Sequence, residues 1–179
     1  MAVNVENARA MPQPARMNAQ EIIRLLDLAP LEKEGGYFRR TWTSQHPDPE
    51  GRAGLNAASM IYYLIAAGGC SAMHRVRSDE HWLYHAGDPL EMLLLHPGGG
   101  SSVHTLGMAM EAGQRPQLTV PGGVWQGARP IPAQAGSGWT LVSAVVCPEF
   151  SWQDFDLADA GQLRAGWSEE EPNWSALLA

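Results

Sequence analysis

His74 and Glu80, with Gly87 beyond them, are the residues whose types and spacing most invite a chemical reading. An imidazole beside a carboxylate is how a general base is assembled. The carboxylate fixes the tautomer and stabilises the imidazolium that forms when a proton is taken. The same residue types also bind divalent metals, or simply satisfy one another in a core. If the segment Glu80–Gly87 is a strand, side chains alternate, so Glu80, Trp82 and Tyr84 share one face and His81, Leu83 and His85 share the other. A phenol on the first face, Tyr84, is placed to return a proton across a pocket.

Positioning these groups is work for strands. Glycines and prolines punctuate the chain about every ten residues and divide it into eight to ten short apolar or alternating segments, the pattern of an antiparallel sandwich or barrel. "AASMIYYLIAAGG" is almost continuously apolar, as expected of a strand buried on both faces. "GGYFRRTWTS" places Tyr37, Arg39 and Thr41 on one face and Phe38, Arg40 and Trp42 on the other. "NAQEIIRLLDLAP" predicts a short helix, with Asn18 and Glu21 as a reciprocal capping pair, Ile22, Ile23, Leu25 and Leu26 as its apolar stripe, and Pro30 as its stop. A weaker helical pattern returns in "SWQDFDLADAGQLRAG". The expected division is a flexible arm over 1–17, a barrel domain over 18–160 and a tail over 161–179 that is surface or partner-bound.

At 179 residues with a net charge of −7 the chain is sized for one domain and carries no basic stripe, which argues against nucleic-acid binding. No apolar run reaches the ~18 residues of a membrane span, and no secretory leader is recognisable at the start. Cys70 and Cys147 are read as unpaired thiols of a reducing compartment, so a cytoplasmic location is expected.

The spacing Gly68-x5-His74-x-Val76-x3-Glu80-x6-Gly87 resembles the first motif of the cupin superfamily, with Val76 where that motif has a second histidine. Downstream, Pro121 and Gly123 match the second motif, whereas Arg115, Gln126 and Pro130 replace its first glycine, its histidine and its asparagine. The blocks Glu34–Thr41, His74–Leu95, Val120–Pro130 and Gly138–Leu157 are similar to the small cupin family 5 group, a domain of unknown function. One departure is Glu32-Lys33 ahead of the glycines, where the group more often shows His-Pro. The resemblance implies an all-β double-stranded β-helix (a jelly roll) with a short N-terminal helix and a C-terminal helical segment. It also implies a homodimer, a ligand pocket in the barrel mouth and no agreed reaction.

A metal-binding cupin supplies three imidazoles and one carboxylate. His74, Glu80 and Gln126 are a poor replacement, so no cofactor is expected, and any weak divalent ion would have to use those three. The pocket set expected from the resemblance and the alternation has His74 as base, with Glu80 and Tyr84 as its catalytic partners. Tyr37, Arg39, Trp82 and Gln126 contact the ligand, a small polar carbohydrate-like or cyclic metabolite. Three functions stay open: a metal-independent isomerase, epimerase or lyase; a non-catalytic small-molecule binding protein; and a metal-dependent dioxygenase or decarboxylase.

Overall fold

The computed structural model describes residues 17–131 and 136–179. The arm expected over 1–17 therefore lies almost wholly outside the described residues. Helix α1 (Ala19–Leu26) starts with the reciprocal cap: Glu21 N donates to Asn18 Oδ1 at 3.0 Å and Asn18 N to Glu21 Oε2 at 2.8 Å. It ends earlier than the proline suggests, at Asp27, which turns the chain in the left-handed region with φ 53°. Ile22 is buried, but Leu25 is 58% exposed and does not belong to the stripe.

Among the described residues eleven strands follow: β1 (Ala29–Pro30), β2 (Tyr37–Thr43), β3 (Ser59–Ala66), β4 (Ser71–Val76), β5 (Asp79–Gly87), β6 (Leu90–Leu95), β7 (Ser101–Leu106), β8 (Gln117–Val120), β9 (Trp125–Pro130), β10 (Trp139–Cys147) and β11 (Phe155–Leu157). They form two antiparallel sheets, in the orders β1-β2-β3-β10-β5-β8 and β11-β4-β9-β6-β7. Each sheet turns an apolar face inward. Tyr63 and Ile65 on β3, Trp82 on β5, Met92 and Leu94 on β6, and Val142 on β10 form the shared core. This is the expected jelly roll.

Among the described residues the outer faces are covered unequally. On the six-stranded sheet α1 covers only one corner, where Ile22 and Leu28 pack with Leu64 and Trp139. On the five-stranded sheet the C-terminal segment makes helix α2 (Ala160–Trp167) and further short helical turns to Leu177. Leu163, Trp174 and Leu177 bury themselves there against Met73, Leu93, Leu95 and Trp125. The tail thus packs on its own chain's sheet. Cys70 and Cys147 are free and half-buried.

Candidate functional site

A cavity of about 400 Å³ opens between the two sheets. Phe38, Ile61, Val76, Ala144, Val146 and Phe150 form much of its wall, Arg40 and Trp152 stand toward its mouth, and Glu34, His74 and Glu80 gather at its closed end. Strand alternation explains most of this. His74 and Val76 face inward from β4 while Met73 goes to the outer helical layer, and Glu80 starts the inward row of β5.

His74 is 2% exposed and lies between two carboxylates, with Nδ1 3.9 Å from Glu34 Oε1 and Nε2 3.8 Å from Glu80 Oε2. Its Nδ1 is 2.7 Å from the Ala72 carbonyl, and a carbonyl only accepts, so Nδ1 carries a proton. Phe155 stacks on the ring at 5.3 Å with the planes 19° apart. Burial pushes the imidazole pKa down, but Glu34, Glu80 and the Ala72 carbonyl outweigh it and lift the value from 6.5 to about 9. That shift favours the imidazolium at neutral pH.

Glu34 is the partner that strand reasoning missed. It precedes β2 in a loop without periodicity, and two glycines let that loop press into the barrel. A Cβ at Gly35 would lie 2.5 Å from the Cys70 carbonyl oxygen, and one at Gly36 would lie 2.7 Å from the Tyr63 ring. The backbone is pinned by Ala72 N donating to the Glu34 carbonyl at 2.8 Å, and the carboxylate by Ser71 Oγ at 2.5 Å. Burial raises the Glu34 pKa, His74 pulls it back and Glu80 adds to the rise. The signal available in the sequence was its place at the head of the "EGGYFR" block.

Glu80 accepts from Gln126 Nε2 at 2.6 Å, and Gln126 Oε1 accepts from Trp82 Nε1 at 3.0 Å. Gln126 and Trp82 are fully buried and stand behind the site rather than on the cavity wall. Expected as ligand contacts, they instead form the mount that orients Glu80. Tyr84 is on the inner side but four residues beyond Glu80, about 13 Å along the strand, and its hydroxyl donates to the Gly87 carbonyl at 2.6 Å. It does not line the cavity. Tyr37 and Arg39 occupy the outer face: Tyr37 packs near α1 and the Arg39 guanidinium lies 5.9 Å over the Tyr62 ring. Their neighbours Phe38 and Arg40 are the inward pair. A register shift between Arg40 and Trp42 then turns Trp42 outward to 48% exposure.

A divalent ion does not fit these donors. The position of a second imidazole is Val76, Nδ1 of His74 holds a proton toward Ala72, and Nε2 faces Glu80 in a protonated ring. The Gln126 oxygen is committed to Trp82, whose indole N–H has no acceptor character, so the amide cannot be turned round. Among the described residues no three His, Cys, Asp or Glu side chains are grouped to hold a metal ion.

The mouth is tied shut on one side by ion pairs. Glu149 accepts from Arg40 Nη1 at 2.5 Å and from the backbone and side chain of Asn56 at 2.9 and 2.8 Å. Arg52 links the buried carboxylate of Asp48 to Asp154, 2.6 Å from its Nη1. Trp152, with Phe150 and Phe155 in edge contacts of 5.0 and 5.1 Å, makes an aromatic rim on which Lys33 sits 4.7 Å from the Trp152 ring.

Two antiparallel sheets closed around a cavity, with a histidine from β4 and a glutamate from β5 at its inner end, define a cupin-type barrel. The chain belongs to the cupin superfamily, in the group described as Cupin superfamily (DUF985), whose model matches residues 20–158. It is similar to Uncharacterized protein YML079W of Saccharomyces cerevisiae, 27% identical over 157 residues that cover 80% of this chain and 76% of the yeast protein. Among solved structures, protein SO0799 of Shewanella oneidensis superposes with a TM-score of 0.82 at 31% identity, covering 91% of this chain and 98% of that one. A hypothetical protein from Leishmania major gives 0.78 at 29%, with 90% and 97% covered. Oxalate decarboxylase from Bacillus subtilis shares the fold alone, at a TM-score of 0.52 and 12% identity over 83% of this chain and 37% of that one. No helix among the described residues is long and apolar enough to cross a membrane.

Proposed function

We propose that the barrel binds a small ring-bodied metabolite and moves protons on it without a metal ion, as an isomerase, epimerase or lyase does. The observation that carries this is His74 held between Glu34 and Glu80 at the closed end of an apolar cavity. Groups with opposed proton tendencies side by side are the equipment of acid–base catalysis. The roles differ from those expected of the sequence: an imidazole with a pKa of about 9 is a proton donor at neutral pH, and a carboxylate takes the base role. Of the two ligand classes expected, the cyclic one suits a wall built from Phe38, Ile61 and Val146 better than a polyol would.

The non-catalytic binding reading has its own support. Glu34, Glu80 and His74 Nδ1 each already have an internal hydrogen-bond partner, as in a fixed recognition surface. Native mass spectrometry of freshly purified protein, followed by incubation of the co-purified ligand in deuterium oxide, separates the two. Deuterium entering a carbon position of the ligand with the natural protein and not with His74→Ala supports catalysis. Retention of the ligand without any exchange assigns the cavity to binding alone. We further propose a cytoplasmic homodimer, since free thiols suit a reducing compartment and the six-stranded sheet keeps Trp42 exposed on its outer face.

A further inference from the structure

Resting on the small-molecule reading above, we infer that the closed end of the cavity takes the cationic amine head of a ligand whose body is an apolar ring. Two carboxylates, Glu34 and Glu80, stand 3.9 and 3.8 Å from one imidazole, and their side chains are only 11% and 9% exposed. Two carboxyl groups face a single imidazole there, so acidic groups outnumber basic ones at the closed end. Among the described residues lining the cavity, no further cation is free to balance them. The Arg40 guanidinium, which also reaches the cavity, is bound to Glu149, and the Lys33 ammonium rides on the outer ring of Trp152.

A carboxylate or phosphate head entering here would meet both glutamates in a medium that screens charge poorly, whereas an ammonium brings positive charge and three donors. Carboxylate oxygens only accept. Glu80 has one oxygen committed to Gln126, and its Oε1 accepts nothing from the described residues. The remainder of the cavity sets the body. Phe38, Ile61 and Val146, side by side on the six-stranded sheet, with Phe150 beyond, offer flat and branched apolar surface that outweighs the few polar side chains there, Ser59, Ser151 and Gln153.

The test is calorimetric titration of the full chain at neutral pH with three matched probes: benzylamine, benzyl alcohol and benzoate. Benzylamine is expected to bind saturably and benzoate at least about 10-fold more weakly, as hydrogen bonds to charged groups imply. Glu34→Gln should weaken benzylamine by about 10- to 100-fold and leave benzyl alcohol nearly unchanged. Benzoate binding as tightly as benzylamine, or no saturable binding of benzylamine, overturns the inference. The ranking on the unaltered chain decides alone if the variant does not fold. Benzylamine preference with no proton exchange on any ligand removes only the catalytic reading. Proton exchange on an anionic ligand removes only this one.

Discussion

Gln126 donates its side-chain amide to Glu80 across 2.6 Å while its carbonyl accepts the Trp82 indole N–H at 3.0 Å. Because an indole only donates, the amide has a single orientation, and Glu80 is aimed at His74 from a rigid mount. Gln126→Leu keeps the volume and strands both partners in the core. Each buried polar group left unpaired costs about 1–3 kcal/mol, so denaturant unfolding should show a loss of about 2–5 kcal/mol. A loss below about 0.5 kcal/mol, the range of an ordinary surface change, would mean the mount is not formed.

The same geometry predicts that the natural chain keeps no stoichiometric divalent ion. Restoring imidazoles with Val76→His and Gln126→His together supplies three histidines and Glu80, a set suited to first-row metals. Elemental analysis after loading with zinc and exhaustive dialysis should read close to none for the natural chain and a bound ion for the double variant. Stoichiometric zinc in the natural chain would mean that His74, Glu80 and Gln126 can ligate a metal after all.

Stability should fall on the alkaline side. The folded-state pKa of His74 lies above its unfolded value, so its contribution is complete below 6.5 and is lost as pH rises toward about 9. By linkage a shift of that size is worth about 3 kcal/mol. Glu34, also raised, acts in the same direction from its ordinary 4.5 upward, because its burial disfavours the charged form. Asp48 and Glu149 are lowered, so their contributions are present above 3.8 and 4.5 and fade as pH drops below those values. Thermal scans across pH should therefore decline between 6.5 and 9, and His74→Gln should flatten that limb. A rising limb in the natural chain would reverse the sign and refute the assignment.

The proposed dimer predicts a scattering mass near twice the 19.4 kDa chain. Val145→Arg, on the outer side of β10 beside His81 and Leu83, should return it to the single-chain mass without unfolding it. A single-chain mass for the natural protein at micromolar concentration would end the dimer proposal.

What could be read from the sequence followed from contrast between faces. On β5 the alternation of Trp82 with His81 and His85 is unequivocal, and the histidines do lie outside, where His81 meets Thr119 and His85 meets Ser143. On β2 one face offers Tyr37 and Arg39 and the other Phe38, Arg40 and Trp42, so both carry an aromatic and an arginine and residue type alone does not choose between them. The choice is made by where β3 pairs, and by a register shift at Thr41 that no residue type announces. Glu34 was illegible for another reason. It sits in a loop, and its burial depends on two glycines approaching Cys70 and Tyr63, which are distant in the chain. Phe155 is similar: its stack on His74 exists only because β11 adds to the edge of β4.

In the proposed function His74, between Glu34 and Glu80, holds its proton at neutral pH and serves as the acid. Nitrogen-15 NMR of the His74 ring, followed through a pH titration, measures this directly. Both ring nitrogens should be protonated at pH 7.5, with a midpoint near 9 that drops toward 6.5 in Glu34→Gln. A neutral tautomer at pH 7.5 in the natural chain would contradict it.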